Sequence, residues 1–372
     1  MKRFPFLDWM RGLAVVIMIQ CHTFNSYAHP DIRAGGPYVL SQFVGGMAAP
    51  LFLFMAGMTM AFQMDSLERR EPALSRRWLI SLKRAGYILL LAFLFRFSNW
   101  LLSFPKGTMQ ELLKVDILNC MALALIVLSA LAVFDARERV RWALVAGLGI
   151  AALAPVISNL NWGSQPTLLQ EYLVPVAAHN RFPFFPCAAY AAFGLAVGTI
   201  VKRTPEERFE RMMQWSVLIG LGLILVAQYL SNIPFSIYPK SDFWLNNPTL
   251  ILIRVGVSLL MMAGAYLWTD YAAGPGWSWM QCLGKNSLMV YWVHVMLVYG
   301  IVSMPIKRTM SAWQAAISTV LLVALMVWLS ARRMAWKQRH AIQASLAAAN
   351  SQAPADWKAP SLLRRVWGSS RP

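Results

Sequence analysis

Ten stretches of the chain are apolar over roughly the 20 residues that a helix needs to cross a bilayer. They cover 8–27, 38–63, 78–102, 115–134, 142–160, 182–201, 215–235, 248–269, 284–304 and 311–330. Val115–Phe134 and Ile317–Ser330 are the cleanest, whereas Lys83 and Arg84 interrupt the third, whose apolar part begins near Ala85. Gly and Pro inside several of them are compatible with spanning, because lipid-embedded helices tolerate both. The expected fold class is therefore all-α, a polytopic integral membrane bundle of about ten transmembrane helices. Residues 1–340 are expected to form one transmembrane domain, followed by a disordered Ala-, Ser- and Pro-rich tail over 341–372.

The polar positions between these stretches alternate in charge. The gaps 64–77, 135–141 and 202–214 and the tail after 330 are rich in Arg and Lys, while 28–37, 103–114, 161–181 and 236–247 are nearly neutral. The positive-inside rule then places both termini and the basic gaps in the cytoplasm, and the tail with them. The gap 270–283 departs from the pattern, with only Lys285 just beyond it. Ser26-Tyr27-Ala28 faintly resembles a leader cleavage site. Asp8, Arg11 and His22 interrupt the stretch before it, so the first span is expected to be retained.

Composition agrees with a lipid solvent: 58% of residues are hydrophobic and 13% charged, against about 25% charged in soluble domains. Disorder, collagen and a disulfide scaffold are excluded. The net charge of +18 would otherwise suggest nucleic acid, but its placement makes it an orientation signal, and nucleic acid drops out as a partner. Cys21, Cys120, Cys187 and Cys282 show no CxxC or metal-type spacing and read as small core residues; no metal is expected. No internal repeat is evident, which disfavours inverted-repeat transporters.

Ionisable residues within the membrane cost at least about 2.5–3.5 kcal/mol each and so become candidates for function. In the first span Asp8, Arg11 and His22 share a helical face, with Arg11 and His22 three turns, about 16 Å, apart. The ninth span carries a second stripe, Ser287, Tyr291 and His294, with His294 near mid-depth. Two histidines at comparable depth suit proton transfer near neutral pH. The plainer alternative is an Asp8–Arg11 pair snorkelling at the interface and histidines hydrogen-bonded within the bundle. Arg96, Asp116, Asn119, His179, Arg181 and Arg254 all map to the outer half, as the wall of a polar site or as interface anchors.

The segment FLDWMRGLAVVIMIQCH resembles the opening helix of polytopic transmembrane acyltransferases, in which an Arg and a His are separated by ten residues. Four further segments are similar to later parts of that family: Gly45–Phe62, Leu112–Ile126, Arg181–Gly198 and Leu283–Gly300. Their order and spacing resemble the heparan-α-glucosaminide N-acetyltransferase-like branch over about residues 4–330. Cys187 departs from the pattern, standing where an aromatic residue is expected.

The resemblance implies transfer of an acyl group, commonly acetyl, from cytoplasmic acetyl-CoA or another acyl-CoA to an extracytoplasmic sugar or glycan acceptor. A bacterial inner membrane is the expected location. By the same resemblance His22 is the general base, or less favourably an acyl carrier, and His294 and Tyr291 line the site near the acyl carbonyl. Arg11, with Asp8, Ser287 and Tyr291, binds acyl-CoA or orients the site, while Asp116, Asn119 and Arg181 face the acceptor. A proton-coupled transporter or flippase, or a silent acyltransferase-like protein, is the competing expectation.

Overall fold

The computed structural model describes residues 4–102, 108–163, 168–176, 182–272 and 276–352. Fourteen α-helices occupy them: α1 (Pro5–Tyr27), α2 (Gly36–Gly45), α3 (Ala48–Arg70), α4 (Leu74–Leu102), α5 (Met109–Leu113), α6 (Ile117–Leu128), α7 (Ala136–Ser158), α8 (Leu168–Leu173), α9 (Phe184–Arg203), α10 (Phe209–Asn232), α11 (Pro248–Leu267), α12 (Trp279–Lys285), α13 (Ser287–Tyr299) and α14 (Ala312–Gln352). Among the described residues there is no strand, only an isolated bridge between Ala28 and Met310. The chain divides into a unit through Met326 and a second from Val327.

Each of the ten expected segments is helical, and seven helical stretches are long and apolar enough to cross a membrane. The remaining three fall short for separate reasons. Helix α1 has the length, but Asp8, Arg11, Gln20 and His22 dilute its apolar content. The stretches Ile117–Val133 and Ser287–Tyr299 are apolar but short. The expected span 284–304 is in fact broken: α12 ends at Lys285, Asn286 leaves the helix, and α13 gives way to a 3-10 segment over Ile301–Ile306. The tail also differs from expectation, since α14 continues to Gln352 through an Ala-rich sequence of high helix propensity. Thus residues 341–352 are helical, and 353–372 lie outside the described residues.

Burial follows composition. Helix α9 is buried nearly all round by Ala188, Ala189, Ala191, Ala192, Gly194 and Ala196, small residues that admit close helix approach in lipid. By contrast α4 and α10 turn Leu90, Phe93, Phe97, Leu218, Leu225 and Val226 outward, as helices solvated by hydrocarbon do. Helix α1 lies against α12 through facing glycines. A Cβ on Gly284 would collide with the Asp8 carbonyl, and one on Gly12 with the Met280 carbonyl.

The basic gaps gather at one end of the first unit. There Arg139, with no exposed side-chain surface, contacts Glu68 at 2.9 Å and donates to the Phe134 carbonyl at 2.7 Å. Arg203 pairs with both Glu68 and Asp65, and Arg69 reaches Asp65 at 2.8 Å. These contacts join α3, α7 and α9, and Phe4, stacked on Phe209, brings in the starts of α1 and α10. The opposite, neutral end is tied by backbone bonds from His29 to Met310 and from Met310 to Tyr27, both 2.9 Å.

Candidate active site

A cavity of about 1270 Å³ opens within the first unit, lined from α1, α2, α3, α4, α6, α9, α11 and α13. Arg11 and His22 both line it, so the shared face expected of α1 is its cavity face. Tyr291 and Ser287 line it from α13.

His294 does not. Its side chain is fully buried behind His22, and the two rings stack with centroids 5.2 Å apart and planes 13° from parallel. His22 Nδ1 lies 3.0 Å from His294 Nε2, and His294 Nδ1 lies 2.7 Å from the Val290 carbonyl oxygen. A carbonyl only accepts, so His294 Nδ1 carries a hydrogen and its Nε2, in the neutral ring, is a bare acceptor. His22 Nδ1 must then donate to it, which leaves His22 Nε2 as the free basic nitrogen. One backbone carbonyl of α13 thereby sets the tautomer of a histidine on α1. The expected lining role of His294 is replaced by support of His22, because the ring has no exposed surface. Tyr299 meets the His22 ring edge-on at 5.3 Å.

At the basic end Arg11 pairs with the buried Asp8 at 3.6 Å and donates to Thr59 of α3, whose hydroxyl in turn donates to the Met55 carbonyl at 2.8 Å. Arg84 of α4 lines the same cavity and donates to Gln63 at 2.8 Å. Ser81, one turn earlier, is a buried residue of the same lining, and its hydroxyl has no hydrogen-bond partner among the described residues. None of Thr59, Gln63, Ser81 and Arg84 was picked out as a site residue from sequence. Only Arg84 gave a signal, as a charge breaking an apolar run.

Of the residues expected to face an acceptor, Asp116 and Asn119 are buried beside the cavity. Asp116 caps the start of α6, accepting from the backbone amides of Leu118 and Asn119, and lies 3.2 Å from Arg96. The Tyr291 side chain lies beside it. Asn119 closes the capping box and donates to the Tyr172 hydroxyl at 3.0 Å. Both are buried behind the wall, where Asp116 holds Arg96, which lines it. Burial pushes the Tyr172 hydroxyl pKa above its ordinary value, keeping it a neutral partner for Asn119. His179 and Arg181 lie outside the described residues. Cys187 lines the cavity in place of the expected aromatic, beside Cys120. Among the described residues no cluster of His, Cys, Asp and Glu has the makings of a metal site.

Residues 4–331 match the acyltransferase domain family. A search of curated proteins returns no match. With nearly its whole length covered by that match and its helices assembled around a His-lined cavity, this chain belongs to the acyltransferase domain family and is a multi-pass membrane protein of that family.

Proposed function

We propose that the protein moves an acyl group, acetyl in the first instance, from acyl-CoA to a hydroxyl or amine of a sugar or glycan. The observation that carries this reading is the His22–His294 contact at 3.0 Å, which leaves His22 Nε2 as the unprotonated nitrogen of a ring on the cavity wall. In the proposed reaction the acceptor O–H or N–H donates to His22 Nε2 as its heteroatom attacks the thioester carbonyl. The proton passes to His22 as the new bond forms, and then to the sulfur of CoA as the C–S bond breaks. The developing imidazolium is stabilised by its Nδ1–H bond to His294, and Tyr291 lies on the same wall to meet the oxyanion. A water-poor cavity strengthens such interactions.

The donor is assigned to the basic end. Arg11, Arg84 and the Ser81 hydroxyl offer charge and donors to a phosphate-bearing carrier. The positive-inside rule makes that end cytoplasmic, where CoA resides, and the acceptor then arrives from the neutral, extracytoplasmic end. A bacterial inner membrane fits this orientation. The five segments similar to the heparan-α-glucosaminide N-acetyltransferase-like branch support an amino- or hydroxy-sugar as acceptor.

The test is a purified, liposome-reconstituted enzyme given acetyl-CoA and a panel of glycosides and amino sugars, with products read by mass spectrometry. An acetylated product that requires the protein supports the proposal. Release of neither acetylated sugar nor free CoA contradicts it, and is what the transporter or silent-protein readings predict.

A further inference from the structure

We infer that the acceptor carries an anionic group, a carboxylate or phosphate beside the reacting hydroxyl or amine, which Arg254 holds; this rests on the acyltransferase reading above. Among the described residues, five cationic side chains line the cavity, Arg11, Arg84, Arg96, Lys114 and Arg254, and no Asp or Glu does so. Asp8 and Asp116, behind the wall, compensate Arg11 and Arg96. Arg254 has no carboxylate within ion-pair distance among the described residues; its guanidinium lies instead beside the buried hydroxyl of Tyr190, a neutral neighbour. An uncompensated guanidinium within a membrane span is costly. A ligand anion removes that cost when it binds.

The position fits an acceptor. Arg254 enters the cavity from α11, against the turn joining α2 to α3: a Cβ on Gly46 would lie 3.2 Å from its Nη2. The preceding residue, Gly45, packs on Cys21, the chain neighbour of His22. Arg254 thus borders the region of the base. Lys114, Trp100, Trp244 and Tyr299 line the same cavity. Aromatic rings offer apolar faces with polar edges, as a pyranose requires, and the two cations add a preference that a neutral sugar cannot satisfy.

The test measures binding and transfer in the full-length protein with four probes: methyl glucuronide, its methyl ester, glucose 1-phosphate and methyl glucoside. Binding is read by thermal shift in detergent, which does not depend on turnover. Wild type is expected to bind an acidic probe at least about ten-fold more tightly than the neutral glycosides, as a charge-assisted pair provides. The stronger of glucuronide and phosphate identifies the anion. Arg254→Gln is expected to remove the preference and Arg254→Lys to restore part of it, with tryptophan fluorescence checking the fold of each. Equal binding of acidic and neutral probes by wild type, or a preference that survives Arg254→Gln, overturns the inference. Failure of the acyltransferase reading shows separately, as absence of acetyl transfer to every probe.

Discussion

A carbonyl cannot donate a hydrogen bond, and from that fact the protonation of two rings follows. Val290 orients His294, and His294 orients His22. Removing the acceptor nitrogen should therefore impair catalysis without emptying the cavity. His294→Phe is predicted to lower kcat by about 100-fold or more, the scale of general-base assistance, with little change in KM for acetyl-CoA. His294→Gln, whose amide oxygen can accept from His22 Nδ1, should recover part of the loss. Equal kcat values for the two variants would reduce His294 to a packing residue. At this scale the sequence was partly legible. The spacing of Arg11 and His22 placed both on one face, and depth alone paired His22 with His294. That His294 stands behind His22 was not legible, because burial of a ring depends on neighbouring helices. Likewise Asp116 and Asn119 read as site residues because they are polar near a membrane, whereas their positions make them a helix cap.

Helices fix how far apart these side chains stand, and α1 is held by α12 through Gly12 and Gly284. Since a side chain at either glycine meets backbone rather than a flexible side chain, the helices must separate. Gly284→Leu is predicted to destabilise the protein by at least about 1–3 kcal/mol, the usual cost of overpacking. The check is its thermal unfolding midpoint beside that of wild type, and an unchanged midpoint would deny that the contact holds α1. Helix α12 falls largely within what the hydrophobic pattern reads as a gap, 270–283, because seven residues are too few for a periodic signal. The same pattern joined α13 to residues on either side of it. Apolar runs show where helices lie, but Asn286 and Gly300, which end them, carry little hydropathic weight.

Across the whole first unit, charge sorts to the ends. Asp65 and Glu68 bind Arg69, Arg139 and Arg203 into one cluster joining α3, α7 and α9, so the basic gaps share an end. This was legible from the alternation of basic and neutral gaps, since the positive-inside bias is written in loops and needs no tertiary contact. The cavity was not, because it is made by residues from eight helices. Sidedness is predicted from the same alternation. In intact cells a membrane-impermeant thiol reagent should label Lys240→Cys but reach Arg70→Cys only after lysis. Labelling of both from outside would reverse or refute the orientation, and with it the assignment of the basic end to CoA. The most direct test of the account is acetyl transfer by His22→Ala beside wild type, in the same liposomes and with the same glycoside acceptor. A loss of about 100-fold or more in kcat, with CoA still raising the melting temperature of the variant, is the predicted result; undiminished transfer by His22→Ala would contradict it.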